Sequence, residues 1–119
     1  MKVAPVDERD SGWEDRRPRF RVYFFAGDGP GNVTWTYDVM DADVLDVLRW
    51  AQRQAGEDRM YAVALVRDDH PPHGGAPQRG LVWLVGMDAN GDPHSEDERG
   101  RQRAMRHRRG KQLVLDDEP

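Results

Sequence analysis

The sequence contains no cysteine, so disulfide bonds and thiolate metal sites are excluded. It contains only two serines, Ser11 and Ser95, and both fall in segments that we interpret as a tail and a helix cap. A catalytic triad built on serine is therefore not expected. All four histidines lie in predicted loops or in the tail, where no neighbouring structure would position an imidazole for acid–base catalysis. We predict that the chain is not an enzyme and uses no cofactor.

Long apolar runs are also missing. No stretch reaches the roughly 18 apolar residues that a membrane-spanning helix needs, and residues 1–18 lack the apolar stretch of a signal peptide. We therefore expect a cytoplasmic protein with no membrane partner. Lysine is scarce, since 16 arginines stand against two lysines. We attribute that bias to a GC-rich bacterial genome rather than to nucleic-acid binding.

Apolar residues make up only 37% of the chain and charged residues 34%. This balance usually means that part of a chain is disordered. The length of 119 residues suits one domain. We predict three segments, which are a disordered tail over residues 1–18, a domain over residues 19–92 and a charged helix or tail over residues 93–119.

The charge is unevenly distributed along the chain. The segment RGRQRAMRHRRGK, from Arg99 to Lys111, holds seven basic residues and no acidic residue. The rest of the chain carries eleven basic groups and all 22 acidic groups, which gives it a net charge of −11. Such an asymmetry is typical of a charged tail. The tail could fold over its own acidic surface, bind nucleic acid or bind an acidic protein.

Four short segments have the residue pattern of β-strands. RFRVYFF, which begins at residue 19, and VTWTYDV, which begins at residue 33, alternate their side chains with a period of two, as half-buried strands do. The Gly- and Pro-rich stretch between them predicts a hairpin. MYAVALV (60–66) is a third strand, and LVWLVGM (81–87) is a fourth that is apolar on both faces. We expect this fourth strand in the interior of the sheet.

A helix is predicted between the second and third strands. Asp41 can cap it, and Asp43 suits its positive N-terminal end. At 100° per residue, one apolar stripe faces the sheet. The members of that stripe are Val44, Val47, Leu48, Ala51 and Ala55. Trp50 does not belong to the stripe. We expect it to project from the opposite side of the helix, near Asp43, Asp46 and Arg53.

The element order is strand, strand, helix, strand, strand. A right-handed crossover through the helix favours a mixed four-stranded sheet of order 2-1-4-3. Strands one and four would be parallel at its centre, strands two and three would lie at its edges, and the helix would cover one face. This arrangement, from Arg19 to Met87, resembles the β-grasp (ubiquitin-like) fold. The resemblance rests on element order and implies no particular activity, so we predict only an α+β domain of this type.

A second helix is predicted over residues 96–109. Ser95, followed three residues later by Glu98, matches the capping box, and acids precede bases along the segment as the helix dipole favours. Ala104 and Met105 are its only apolar residues. Burial provides most of the stability of a helix in a protein, and this segment has no apolar stripe and almost nothing to bury. We therefore expect this helix to be frayed or dependent on a partner.

Carboxylate and imidazole groups occur together in the loop between the third and fourth strands, which we place from residue 67 to residue 80. Its sequence DDHPPH supplies residue types that bind zinc or a non-haem metal, and they are Asp68, Asp69, His70 and His73. The loop is rich in Pro and Gly, and the sequence shows no outer residues that would orient the imidazoles. We therefore expect a solvated loop without a metal.

An apolar sheet face and an exposed tryptophan favour binding to protein. We predict that the helix covers one face only, and exposed apolar patches usually mark interfaces. The leading hypothesis is a small regulatory protein that acts through protein contacts, with a homodimer as one form of that contact. Its predicted contact residues are Trp50, Trp83, Asp46 and Arg53. One alternative is a nucleic-acid-associated protein that uses Arg101, Arg103, Arg106, Arg108, Arg109 and Lys111. The other alternative is a metal-dependent enzyme that uses the loop of residues 68–73.

Overall fold

The structure is a computed structural model that describes residues 1–27, 31–69 and 73–112. Within these ranges the chain forms four strands and two α-helices. Their bounds are β1 Arg19–Ala26, β2 Val33–Val39, α1 Val44–Ala55, β3 Met60–Asp69, β4 Gln78–Val85 and α2 Glu96–Arg108. The middle of the predicted first hairpin loop and His70 lie outside the described residues. No described helix is both long enough and apolar enough to cross a membrane.

The four strands form one antiparallel sheet of order β2-β1-β3-β4. The predicted α+β class is confirmed, and so is the position of β2 at an edge. The predicted order 2-1-4-3 with a parallel central pair is wrong. The resemblance to the β-grasp fold depended on that order, so it is wrong as well. Instead, β1 lies between β2 and β3 and is antiparallel to both.

β4 lies at the other edge because it forms a hairpin with β3. β3 extends to Asp69 and β4 begins at Gln78, so the connection is shorter than the predicted loop of residues 67–80. Closing a short loop between neighbouring strands costs less chain entropy than bringing β4 back to β1. The expectation that β4 lies in the interior of the sheet is therefore wrong, and two of its apolar residues, Val82 and Leu84, are each 44% exposed.

α1 packs on one face of the sheet, which we call the α1 face. The predicted stripe is confirmed for Val47, Ala51 and Ala55, which are all buried. They meet alternate residues of β1 and β3, because side chains two apart point to the same side of a strand. The buried sheet residues of this core are Phe20, Val22, Phe24, Tyr61 and Val63. Val44, in the first turn, is 40% exposed and lies outside the packed part of the stripe.

α1 begins with a reciprocal cap. The Asp43 carboxylate accepts a hydrogen bond from the Asp46 N–H at 2.9 Å, and the Asp46 carboxylate accepts one from the Asp43 N–H at 3.3 Å. The prediction that Asp41 caps the helix is therefore wrong by two residues. Asp41 instead has a φ of 57°, a left-handed conformation that aspartate adopts more readily than most residues. It turns the chain between β2 and α1.

α2 packs on the opposite face, the α2 face, so the sheet lies between two helices. Met105 of α2 is 2% exposed and packs with Phe25, Met60 and Ala62. Gly86 makes room for it, because a Cβ at that position would lie 3.0 Å from the Met105 sulfur. Met105 is the one buried residue of α2, which agrees with the prediction that this helix has no apolar stripe and almost nothing to bury.

The predicted start of α2 is confirmed. The Ser95 hydroxyl accepts a hydrogen bond from the Glu98 N–H at 3.1 Å. Glu98 does not complete the capping box, since its carboxylate accepts a hydrogen bond from the N–H of His94 rather than from that of Ser95. The helix ends at Arg108, one residue before the predicted end.

Candidate functional site

β2 is an edge strand without the usual protection against strand pairing. Among the described strands, β1 alone pairs with it. β2 is seven residues long and contains neither proline nor lysine, whereas natural sheets usually protect their edges with such residues, with bulges or with very short strands. Its outer backbone groups can therefore accept another strand.

Three apolar side chains stand on the α1 face of β2. Val33, Trp35 and Tyr37 share this face because they alternate along the strand, and Trp35 lies directly opposite the buried Phe24 of β1. Trp35 is 37% exposed, Tyr37 46% and Val33 58%. A group of large apolar residues exposed side by side is more informative than a single one.

Trp50 of α1 joins these rings. Its ring centre lies 5.8 Å from that of Tyr37 and 5.6 Å from that of Phe24, and both contacts are edge-to-face. The rings of Phe24 and Tyr37 are themselves 5.9 Å apart. Pairs of this geometry each contribute on the order of 1 kcal/mol beyond the burial of their area. We call the surface formed by Trp35, Tyr37 and Trp50 the aromatic surface.

The position of Trp50 differs from the prediction. The buried stripe of Val47, Ala51 and Ala55 is centred on Ala51, and each residue of an α-helix is rotated by about 100° from the one before it. Trp50 therefore lies about 100° around the helix from the centre of the stripe. That angle places it on the flank of α1 above β2. The expectation that Trp50 projects away from the sheet is wrong, because its indole packs against the core of the α1 face.

Arg59 adds a fixed cation to the edge of the aromatic surface. Its guanidinium carbon lies 5.1 Å from the ring centre of Trp35 and 4.7 Å from that of Phe24, within the range of a cation–π interaction. The guanidinium also donates a hydrogen bond to the backbone carbonyl of Gln54. That carbonyl lies in the last turn of α1, where the helix dipole favours a cation.

The α2 face of β2 carries an ion-pair cluster. The Asp38 carboxylate accepts hydrogen bonds from Arg21, with Nε 2.7 Å from Oδ1, and from Arg19. The bond from Arg21 lowers the pKa of Asp38 to about 2, and Arg19 adds to the effect although burial opposes it. Asp38 is the only charged residue of β2, so the strand has no unpaired charge on either face.

The four predicted contact residues do not form one site. Trp50 belongs to the aromatic surface, whereas Trp83 lies on the α2 face with its ring centre 5.2 Å from that of Tyr23. Asp46 is occupied by the cap of α1. Arg53 is exposed one turn after Trp50 on the same helix. These placements leave the role of each residue in partner binding as a prediction.

Sequence reasoning missed Trp35 and Tyr37 as site residues. The signals were present, because the period-two pattern puts both on one face and β2 was predicted at an edge. What the sequence does not show is how far α1 extends across that face. A helix placed one strand further over would have buried both rings.

The basic segment pairs partly with its own helix. Arg99 and Arg103 both form ion pairs with Glu96, and Arg101 forms one with Asp97. The hydrogen bond from Arg103 lowers the pKa of Glu96, and Arg99 adds to that effect. Three of the seven cations therefore have a partner within α2.

The other four cations lie where the two helices end. They are Arg106, Arg108, Arg109 and Lys111. The Lys111 ammonium lies 3.0 Å from Nε2 of His107, and a Cβ at Gly110 would lie 3.6 Å from the backbone oxygen of Glu57, just beyond α1. The C-terminal ends of both helices thus meet, and cations offset the partial negative charge of such ends.

The carboxylates of the predicted metal loop are used by the β3–β4 hairpin. Asp68 pairs with Arg79 across the two strands, with Nε 2.8 Å from Oδ1, and Asp69 forms a second ion pair within β3. His73 is exposed, and His70 lies in a part of the chain that is not described. Within residues 1–27, 31–69 and 73–112, no three His, Cys, Asp or Glu side chains form a group that could hold a metal ion.

Comparison of the chain with protein-family models, curated proteins and solved structures found no match. Its function is therefore inferred from the residues and their geometry alone. The aromatic surface combines exposed rings, fixed positions and a strand that has one neighbour among the described strands.

Proposed function

We propose that this chain is a small non-enzymatic binding protein that acts through protein contacts at the aromatic surface and the adjoining edge of β2. One observation carries the proposal. Trp35 and Tyr37 are exposed on a strand that has β1 as its only neighbour among the described strands. A protein partner would remove these rings from water and could satisfy the outer backbone groups of the strand.

The rings are already held in place before any partner binds. Trp50 and Phe24 contact Tyr37, and Arg59 lies over Trp35. Side chains that are fixed in advance lose less freedom on binding, which lowers the cost of association. Tryptophan, tyrosine and arginine are also the residue types most enriched in binding hot spots.

The nucleic-acid alternative has less support from the geometry. An arm that binds phosphates needs cations directed towards them, whereas Arg99, Arg101 and Arg103 pair with acids of their own helix. The remaining cations lie where two helix ends favour positive charge. The metal-enzyme alternative is weakened in the same way, because the carboxylates of Asp68 and Asp69 already have cationic partners.

Photo-crosslinking in the native host tests the proposal. A photoreactive amino acid replaces Val33 on β2 in the full chain, and a matched variant carries it at Val82 of β4, the other edge strand, which is 44% exposed. We expect covalent adducts with protein from position 33 that are lost when Tyr37→Asp is added, and few adducts from position 82. The proposal is wrong if position 33 forms no protein adduct, or if its adducts are indifferent to Tyr37→Asp.

A further inference from the structure

The sequence of β2 is approximately symmetric about Thr36 in residue type, as apolar, polar, aromatic, threonine, aromatic, polar and apolar. In VTWTYDV, the residues on either side of Thr36 correspond in pairs, which are Trp35 with Tyr37, Thr34 with Asp38 and Val33 with Val39. An antiparallel strand pair relates its two members by just such a reversal. We propose that two copies of the chain associate through β2, with Thr36 opposite the partner's Thr36. Because it uses the same surface, this pairing rests on the proposed function and names a second copy as the partner.

The apolar row of β2 finds an apolar row across the pair. On the α1 face, Trp35 lies opposite the partner's Tyr37, and the symmetry of the pair repeats that contact. Val33 likewise lies opposite the partner's Val39. Side chains directly opposite in an antiparallel pair have Cβ atoms about 4.5–5.5 Å apart, and aromatic pairs are among the more favourable combinations. The exposed rings of both copies would be covered together.

The polar row is compatible as well. On the α2 face, Thr36 meets the partner's Thr36, and Thr34 meets the partner's Asp38. Threonine pairs can form hydrogen bonds across strands, whereas like charges directly opposite would destabilise the pair. No like charges are opposed here, and Asp38 is neutralised within its own chain by Arg19 and Arg21.

The register centred on Thr36 is favoured over its neighbours. Seven residues of each strand take part in it, and a shift of two residues would leave the ends without partners. A shift of one residue would put Trp35 opposite the partner's Thr36. It would also turn one copy over, so that apolar rows would face polar rows.

The pairing closes on itself. A two-fold axis through Thr36 uses the same edge of both copies, so the assembly stops at two and forms a continuous eight-stranded sheet. The outer edges of that sheet are the two β4 strands. The ladder between β3 and β4 is irregular next to Val63 and Ala64, and irregularities of this kind discourage further pairing.

A chain without cysteine offers a direct test, because a variant with one cysteine can form a disulfide only between two copies. Thr36→Cys should give a covalent dimer under mild oxidation, since Cα atoms directly opposite are within disulfide reach. Thr34→Cys is the matched control, an identical change at another exposed threonine of the same face. Its two copies would lie about 14 Å apart, which is too far for a disulfide.

Sedimentation of the cysteine-free chain completes the test. The native chain should associate with rising concentration. Tyr37→Asp should weaken that association at least about 100-fold, because it removes one ring from each of the two Trp35–Tyr37 pairs. Circular dichroism of the variant checks that it is folded.

The possible outcomes distinguish the failure of self-pairing from the failure of the proposed function. Equal disulfide formation at positions 34 and 36 would overturn the register, and a native chain that stays monomeric at all concentrations would overturn the pairing. If Thr36→Cys stays monomeric while position 33 forms adducts with another protein, self-pairing is wrong and the proposed protein-contact function stands. A covalent dimer from Thr36→Cys alone, together with concentration-dependent association, supports both.

Discussion

The two helices cover opposite faces of one sheet, and they are held there by different means. α1 buries a stripe, since Val47 and Ala51 are fully buried and Ala55 is 6% exposed. Of the residues of α2, all of which are described, Met105 alone is buried. α1 is thus attached by several buried side chains, whereas α2 has one buried side chain and a hydrogen bond from Gln102 to the backbone oxygen of Gly91. Losing a single contact should therefore matter more on the α2 face.

The site that receives Met105 is built from small residues. Gly86 and Ala62 leave the space for its side chain, and its sulfur accepts a hydrogen bond from the Met87 N–H at 3.4 Å. Methionine suits such a site because its unbranched side chain adapts to irregular gaps. The size of the space and the contribution of the Met105 side chain that fills it can be tested separately.

Filling the space should have the largest effect. In Gly86→Ala, the new Cβ would lie 3.0 Å from the Met105 sulfur and 3.2 Å from the Ala62 Cβ, at a φ of 73° that alanine adopts poorly. We expect a loss of about 3 kcal/mol in the free energy of unfolding, measured in urea, from overpacking and backbone strain together. Gly80→Ala is the control, since its nearest neighbour is 4.0 Å away. Equal losses in the two variants would contradict the tight site.

Truncating the Met105 side chain should have the next largest effect on the free energy of unfolding. Met105→Ala should lower the free energy of unfolding by about 2 kcal/mol, at the lower end for a buried methionine because α2 has few other contacts that would hold a cavity open. Met40, which is 58% exposed, provides the matched control, and Met40→Ala should change the same quantity by less than about 0.5 kcal/mol. If Met105→Ala proves neutral, α2 does not depend on this residue.

Removing the ion-pair cluster of Asp38, Arg19 and Arg21 should have the smallest effect on the free energy of unfolding. This effect should depend on pH. The pKa of Asp38 is about 2 in the folded chain and about 3.9 when unfolded. Its stabilisation is therefore present above about pH 4 and is lost as the pH falls from 4 towards 2.

Asp38→Asn checks that pH dependence. We expect it to cost on the order of 1 kcal/mol at pH 7, a reduced figure because Arg19 is partly exposed to solvent. The difference between variant and native chain should shrink as the pH is lowered from 4 to 2, as followed by thermal unfolding. A difference that stays constant over this range would show that the carboxylate charge is not the cause.

The sequence predicted the elements better than their arrangement. The alternation in β1 and β2 and the stripe of α1 are local patterns, and both appear in the structure. The strand order is not local, and the two apolar faces of β4 suggested a central strand although β4 lies at an edge. The packing of α2 on the sheet has no periodic pattern of apolar residues in the sequence. It relies on one buried methionine, Met105, and on the space that Gly86 leaves for it.

The candidate site was predicted only in part. Trp50 was identified from its place outside the stripe, but a helical wheel gives an angle and not the distance to the next strand. Trp35 and Tyr37 were assigned to a strand face without knowing that α1 would stop short of covering them. Trp83 was predicted on an apolar face of the fourth strand, and the structure packs it against the core that contains Met105 of α2.

The strand order also has a consequence for how fast the chain folds. β1 with β2 and β3 with β4 are hairpins between sequence neighbours, which can form in microseconds. Pairing β1 with β3 must close the whole stretch that contains β2 and α1, as in the Val22–Val63 pair, and such non-local contacts set the rate. Val63→Ala, in the pairing of β1 with β3, should slow refolding in stopped-flow experiments. Met105→Ala should mainly speed unfolding. The two hairpins would then form early, and the pairing of β1 with β3 would join them late in folding.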